Sequence, residues 1–309
     1  MTFKKLFLPA GITAAAAAAA VTPDPGIYFK ELGLGKLLII IIFLINGFRL
    51  ETSFNKSDKA LVKTLFWIVP VSLFAAPLLG YFTADLFKLT AAASAGLIIM
   101  SAAPTTVSSG IVITETSGGS RLWALTITIT LSIAGIFTIP PVLGLLLSSS
   151  HNISIQASIL FYKLLLFVLL PLIAGITARR IFLLYKKKIP EGLSYIPPSA
   201  VILIIWMTLS DSRDLLVSVT LRLLIITAAA SLTVHISLLA VNFLFGKYIL
   251  KLEPSRWKAL IFTGSQKTLP VSVSVITMIG GSITAGIISC IVFHLSQVLL
   301  DSLIASLME

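Results

Sequence analysis

The feature that most constrains this chain is a series of apolar segments, each long enough to cross a bilayer as a helix, that recur between short polar breaks. About 20 helical residues cross the roughly 30 Å hydrocarbon core. Of the 309 residues, 57% are hydrophobic and 11% are charged, whereas about a quarter of the residues in a soluble domain are charged. The sequence therefore predicts an all-α membrane protein that is surrounded by membrane lipids.

The apolar segments and the polar breaks between them predict ten transmembrane helices. They cover residues 6–21, 34–50, 62–84, 88–113, 120–147, 154–178, 195–210, 220–246, 256–280 and 282–308. The first segment follows Lys4 and Lys5 and is rich in alanine, so a cleaved secretory signal is the alternative interpretation. We favour a retained helix.

The distribution of Lys and Arg predicts the orientation, because cytoplasmic loops retain basic residues. With a cytoplasmic N-terminus, sixteen of the 23 basic residues lie in inner loops and six in outer loops, while Lys267 lies within a span. The sequence thus predicts a multi-pass protein, in the plasma (inner) membrane, with both termini in the cytoplasm. The net charge of +11 then reflects topology, and no nucleic-acid partner is predicted.

The chain divides near residue 150, where the polar stretch from Ser148 to Asn152 separates the fifth and sixth spans. Residues 1–150 and 151–309 then hold five spans each. Because five is odd, the second half enters the membrane from the opposite side, which gives the inverted-topology repeats of many secondary transporters. We predict one integral membrane unit that is built from these two repeats.

Two spans carry a proline among small polar residues in the middle of the apolar run. One lies around Pro104 in the fourth span, and the other covers residues 263–270 in the ninth. Proline removes a backbone donor, so a helix at membrane depth is broken there and supported by its neighbours. Corresponding breaks in two halves predict a transporter's binding site. The alternative is a simple kink with Ser and Thr packed between helices.

Lys267 lies deep in the ninth span, 11 residues after Arg256 and 13 before Gly280. An ammonium near the bilayer centre costs about 2.5 kcal/mol or more, so it normally faces a cavity or a partner. The alternative is a side chain that snorkels to the interface, which this depth disfavours. Together with two half-helix N-termini, the ammonium favours a carboxylate or sulfonate substrate.

Other polar residues in the spans are weaker candidates. Thr126 and Thr130 share one face of the fifth span by their spacing of four, although threonines also bond back to their own helix. Asn46 ends the second span. Asp301, in the last span, is the best proton-relay candidate outside the two breaks, with a position near the inner surface as the alternative. No pair of histidines has metal-ligand spacing.

Three stretches share the pattern of a known family: Phe43–Leu50, Ala102–Gly110 and Phe262–Pro270. Together they resemble the bile acid:sodium symporter superfamily, in particular its SBF-like branch, and the resemblance covers nearly the whole chain. It implies ten helices in two inverted five-helix repeats. It also implies a panel domain of helices 1, 2, 6 and 7, and a core domain in which helices 4 and 9 are broken and cross.

The resemblance also implies a sodium site beside that crossing. Family members hold sodium with a Ser-Asn pair in helix 4, hydroxyls in helix 5, and a Glu and a Gln in helix 9. Ser109 matches the serine and Gln266 the glutamine. With the two fifth-span hydroxyls, the implied sodium ligands are Ser109, Thr126, Thr130 and Gln266.

Three positions depart from the family pattern. Gly110 stands at the position of the asparagine, Phe262 near that of the glutamate, and Lys267 where an asparagine is usual. We therefore hypothesise that Lys267 replaces a coupling sodium ion, which would make transport sodium-independent or proton-linked. The alternative is a sodium-coupled symporter that uses Ser109 and Gln266.

The sequence as a whole predicts a secondary active transporter of small organic anions, either bile-acid-like or other carboxylates, that works by alternating access. No cofactor is predicted beyond a sodium ion or proton as coupling ion. An intramembrane enzyme is disfavoured because no acidic cluster or nucleophile–base pair is evident, and a non-transporting regulator with a transporter fold is the other alternative. The predicted substrate- or ion-binding residues are Asn46, Pro104, Thr105, Thr106, Ser108, Ser109, Thr126, Thr130, Ser265, Gln266, Lys267 and Thr268.

Overall fold

The structure is a computed structural model that describes residues 3–50, 58–106, 109–151, 156–184, 191–214 and 219–308. Within these ranges the chain is helical and contains no strand. Short 3-10 segments cover Glu191–Ser194 and Gly281–Gly286. The main helices are Phe3–Val21, Asp24–Glu31, Leu34–Arg49, Lys59–Leu86, Ala91–Ala102, Ser109–Thr116, Arg121–His151, Ala157–Leu184, Ile196–Asp211, Leu221–Ile249, Pro254–Ser265, Leu269–Ile279 and Ile287–Ser306.

The helices follow the predicted apolar segments closely, and each predicted segment contains at least one helix. Six helices are long and apolar enough to cross a membrane, or up to seven if the bent pair Asp24–Glu31 and Leu34–Arg49 forms one span. The chain is therefore an integral membrane protein. The remaining predicted spans contain shorter helices, so ten spans stay a prediction.

One group of helices packs together through close backbone contacts. It contains Phe3–Val21, Leu34–Arg49, Ala157–Leu184 and Ile196–Asp211, and we call it the first helix group. A Cβ added to Gly47 would overlap the carbonyl of Leu172, and one added to Gly175 would overlap the carbonyl of Leu44. Small residues at these positions let two backbones touch, as is usual between membrane helices.

The second helix group surrounds the two interrupted spans. It contains Lys59–Leu86, Ala91–Ala102, Ser109–Thr116, Arg121–His151, Leu221–Ile249, Pro254–Ser265, Leu269–Ile279 and Ile287–Ser306. Gly96 faces the backbone of Gly286, and a Cβ at Gly96 would overlap the Gly286 carbonyl. The interrupted spans are thus held in a closely packed bundle.

Two local features were not predicted from the sequence. The helix Asp24–Glu31 meets Leu34–Arg49 at an angle of 76°, and Gly33 provides the left-handed backbone conformation for this bend with φ of 74°. Three long helices contain a π-helical turn, at Val71–Ala75, Leu165–Leu169 and Phe245–Ile249. Such turns disturb the regular backbone ladder and often occur at functional sites.

The first apolar segment forms a helix that belongs to the packed structure. Phe3–Val21 lies against Ile196–Asp211, and Ile12 and Ala19 are buried there. The guanidinium Nε of Arg213 donates to the carbonyl of Ala20 at 2.8 Å. The choice between a retained helix and a cleaved signal stays a prediction.

Candidate functional site

The two predicted helix breaks are present, and they touch each other. The first separates Ala91–Ala102 from Ser109–Thr116, and the second separates Pro254–Ser265 from Leu269–Ile279. The backbone N–H of Thr268 in the second break donates to the carbonyl of Pro104 in the first at 2.9 Å. Each break therefore satisfies a backbone group of the other, which keeps non-helical backbone stable inside a bundle.

Three side-chain oxygens from the two breaks lie together, and we call them the oxygen cluster. Thr106 Oγ1 donates to Gln266 Oε1 at 2.6 Å, and Ser109 Oγ lies 3.1 Å from Gln266 Oε1 and 2.7 Å from Thr106 Oγ1. The N–H of Gly110 donates to Thr106 Oγ1 at 2.9 Å. A Cβ at Gly110 would lie 3.1 Å from Gln266 Oε1, so the glycine leaves room around the cluster.

The amide nitrogen of Gln266 contacts a buried acid on the last helix. Gln266 Nε2 donates to Asp301 Oδ2 at 2.7 Å, and Asp301 Oδ1 lies 2.7 Å from His235 Nε2. The Asp301 side chain is 0% exposed and that of His235 is 1% exposed. The depth of Asp301 in the membrane, which the sequence left open, stays a prediction. The structure places this carboxylate beside the second break.

Lys267 is fully buried, as its depth in the span predicted. Its Nζ donates to the Ser72 carbonyl at 2.6 Å and lies 2.9 Å from Ser72 Oγ, at the π-helical turn of Lys59–Leu86. The Lys267 N–H donates to Gln297 Oε1 at 2.9 Å, and its carbonyl accepts from Gln297 Nε2 at 2.6 Å. The ammonium and both backbone groups are thus held by neighbouring helices. No ion pair with a carboxylate is formed by Lys267 in the part of the chain described.

Ser265, the last residue of its half-helix, has a supporting contact. Its Oγ accepts from Asn242 Nδ2 at 3.0 Å, and Asn242 Oδ1 accepts from Trp67 Nε1 at 3.2 Å. All of Ser265 and Asn242 is buried. These bonds position the start of the second break and leave Ser265 outside the oxygen cluster.

A cavity lies between the first helix group and the two breaks. Its polar lining consists of Asn46, Thr105, Ser132 and Thr268, and the predicted residue Pro104 also lines it. The Thr105 side chain is 1% exposed, and its hydroxyl has no hydrogen-bond partner among the described residues. The rest of the lining is apolar: Phe43, Leu50, Ile136, Ile139, Leu164, Val168, Leu172, Pro270 and Val271.

Seven of the predicted site residues fall into two neighbouring places. Asn46, Pro104, Thr105 and Thr268 line the cavity. Thr106, Ser109 and Gln266 form the oxygen cluster. Ser108 lies outside the described residues.

The two threonines of the fifth predicted span are not joined to the oxygen cluster. Thr126 Oγ1 donates to the carbonyl of Leu122 at 2.9 Å, which is the back-bonding alternative that the sequence left open. Thr130 lies one turn further along and is half-buried. No hydrogen bond links either side chain to Gln266 within the described ranges.

The oxygen cluster has the donor chemistry that a sodium ion prefers, because hydroxyl and amide oxygens are hard, neutral ligands. No group of three or more His, Cys, Asp or Glu side chains that could hold a metal ion occurs among the residues with a described position. A transition-metal centre is therefore not assigned to this part of the chain, and the cluster is the candidate ion site.

Comparison with known proteins extends over nearly the whole chain. The profile of the SBF-like CPA transporter family matches residues 6–309. The probable sodium/metabolite cotransporter BASS4, chloroplastic, of Oryza sativa subsp. indica is 29% identical over 97% of this chain and 74% of its own length. Its namesake from Arabidopsis thaliana is 28% identical over 97% and 72%. The sodium/bile acid cotransporter 7 of Rattus norvegicus is 24% identical over 97% and 92%.

Proposed function

The chain belongs to the SBF-like CPA transporter family, and we propose that it is a secondary active transporter of small organic anions. One observation carries the proposal: two interrupted helices meet beside a mostly apolar cavity, and a buried Thr105 hydroxyl in that cavity has no partner within the described chain. A buried hydroxyl without a hydrogen bond costs about 1–3 kcal/mol. A ligand that accepts from it would remove this cost.

The cavity suits a molecule with an apolar body and one acidic group. Ten apolar side chains line it, whereas the polar lining is confined to Asn46, Thr105, Ser132 and Thr268. The helix Leu269–Ile279 begins beside the cavity, and the N-terminus of a helix favours a negative charge. A carboxylate bound near Thr105 and Asn46, with its body against the first helix group, fits this distribution.

Transport would proceed by alternating access between the two helix groups. In this proposal the first helix group is the panel domain and the second is the core domain, whose two broken helices cross. Residues 1–150 and 151–309 form inverted five-helix repeats with ten spans in total. The excess of basic residues in inner loops supports a plasma (inner) membrane protein with both termini cytoplasmic.

Sodium is the favoured coupling ion. Relatives over nearly the whole chain are named sodium cotransporters, and the oxygen cluster offers three neutral oxygens within 3.1 Å of one another. Thr106, Ser109 and Gln266 would hold the ion. When bound, the ion supplies a positive charge that strengthens the binding of an anion nearby.

A second coupling mode rests on Lys267, which is fully buried next to Gln266. In that mode its fixed ammonium replaces the coupling sodium ion, and transport is sodium-independent or proton-linked. The two modes predict opposite results when external sodium is varied. A steep sodium dependence supports the oxygen cluster, and a flat response supports Lys267.

The deciding experiment is uptake of labelled organic carboxylates and sulfonates into proteoliposomes, with sodium and proton gradients imposed separately. Uptake that accumulates substrate above its external concentration supports secondary active transport. Substrate binding without any flux under either gradient would favour a regulator with a transporter fold. Chemical conversion of a supplied substrate would contradict the proposal that the protein is not an enzyme.

A further inference from the structure

Asp301 is a fully buried acidic residue that has no Lys or Arg partner among the described residues. Its carboxylate contacts the amide of Gln266 and the imidazole of His235, and its side chain is 0% exposed. The ion pairs elsewhere in the described chain lie at exposed or half-buried positions. A buried carboxylate in a membrane protein is costly without a compensating positive charge.

The hydrogen bonds around Gln266 connect this acid to the oxygen cluster. Because Nε2 donates to Asp301, the amide oxygen is turned to the opposite side, where Thr106 and Ser109 contact it. The carboxylate thus fixes the direction of the amide. It also places a carboxyl group one side chain away from three neutral oxygens.

The lysines of the second break and of the half-helix before it, and the histidine on the last helix, bond to residues other than Asp301. Lys267 donates to Ser72, and Lys258 donates to the carbonyls of Ser117 and Met308. His294 contacts Gln297. Lys267 and Lys258 are therefore directed at uncharged oxygens, and the contacts of the acid within the described chain are those with His235 and Gln266.

We propose that Asp301 is the anionic partner of the sodium site, acting through Gln266 as a positioning residue. This inference rests on the sodium-coupled form of the proposed function. Neutral oxygens alone bind a monovalent cation weakly in a low-dielectric interior, and a carboxylate nearby supplies the missing attraction. In this chain the acid, Asp301, lies on the last helix. In the family pattern that the sequence resembles, the acid lies in the broken ninth helix, near the position that Phe262 occupies here.

The test measures sodium binding directly, with radioactive sodium and the purified full-length protein, in the absence of substrate. D301N is expected to weaken sodium affinity by about tenfold or more, because it removes the charge and keeps the shape. D301E keeps the charge and is expected to bind sodium more tightly than D301N. E115Q, which alters an exposed acid paired with Arg121, serves as the matched control and should bind like wild type.

A double variant that relocates the carboxylate distinguishes an electrostatic role of Asp301 from a structural one. Q266E combined with D301N moves the carboxylate from the last helix into the oxygen cluster, and sodium affinity should recover well above that of D301N alone. H235Q leaves the carboxylate in place, so sodium affinity should be unchanged or tighter. H235Q remains informative if D301N fails to fold.

Several results would overturn the inference. One is a wild-type protein that binds no sodium. The others are a D301N variant with wild-type sodium affinity and an H235Q variant whose sodium affinity is weakened about tenfold. None of these results touches the broader proposal, because uptake of organic anions under a proton gradient is measured separately. A loss of all uptake with normal sodium binding would overturn the transport proposal and leave the role of Asp301 standing.

Discussion

The Thr268 N–H and the Pro104 carbonyl form a 2.9 Å hydrogen bond that joins the two helix breaks. Thr268 has extended backbone geometry with φ of −92° and ψ of 120°, so its N–H points out of the helical ladder. Gln297 from the last helix binds the N–H and carbonyl of Lys267 in the same break. The interrupted backbone is therefore satisfied by tertiary contacts, and the chain can expose side chains there without leaving buried polar backbone unbonded.

We predict that T105V weakens substrate transport while it leaves the fold intact. The Thr105 hydroxyl has no hydrogen-bond partner among the described residues, so its removal should raise the free energy of unfolding by up to about 1 kcal/mol. Loss of one hydrogen bond to a charged ligand should raise the KM for uptake about tenfold. The measurements are concentration-dependent uptake and thermal unfolding.

The matched control for T105V is T233V. Thr233 is exposed and donates to the carbonyl of Ala229 in its own helix, so the same substitution should leave KM unchanged. A T105V variant with normal KM but lower stability would show that the hydroxyl has a structural partner and no contact with substrate.

Lys267 should matter more for transport than for stability. K267M removes the ammonium that donates to Ser72 but keeps the length of the side chain, and it also removes the cost of burying a charge. We expect uptake to fall at least about tenfold while the melting temperature is retained. S72A removes one of the two acceptors of the Lys267 ammonium. Its effect on uptake should therefore be smaller, equivalent to about 1 kcal/mol or less.

The control is K247M, because Lys247 is exposed and lies over aromatic rings at the end of its helix. It should transport like wild type. Equal losses of uptake in K267M and K247M would indicate a general effect of removing lysine and would contradict a specific role for Lys267.

Gly96 should be among the least tolerant glycines. A Cβ there would overlap backbone atoms of Gly286, which cannot move like a flexible side chain. We expect G96A to destabilise the protein by about 1–3 kcal/mol, as over-packing usually does. G192A is the matched control, because no heavy atom of a residue other than its chain neighbours lies within 4 Å of the position of its added Cβ. Thermal unfolding in detergent compares the two, and equal melting temperatures would contradict the packing argument.

The sequence predicted the helices and both breaks because these depend on local chemistry. Apolar length predicts a membrane helix, and a proline among polar residues predicts an interruption. Pro104 and residues 263–270 were identified in this way, and the SBF-like resemblance is confirmed by the family match over residues 6–309. The burial of Lys267 followed from its distance to the ends of its span.

The rest of the site depends on packing between distant segments, which sequence spacing does not encode. Asp301 is 35 residues from its partner Gln266, and His235 is 66 residues from Asp301. The polarity of Asp301 within an apolar span was the available signal, but its partner could not be inferred. Thr126 is the opposite case. Its spacing of four from Thr130 suggested a role in the ion site, but its hydroxyl bonds to its own helix.

The orientation can be tested with introduced cysteines, because the native Cys290 is 0% exposed and should react little. Arg180 and Arg222 are both exposed, and the predicted topology places Arg180 in the cytoplasm and Arg222 outside. In intact cells a membrane-impermeant maleimide should therefore label R222C and spare R180C, whereas both should be labelled after permeabilisation. Labelling of R180C alone in intact cells would show that the orientation is opposite to the predicted one. Labelling of both in intact cells would mean that an even number of spans separates the two positions.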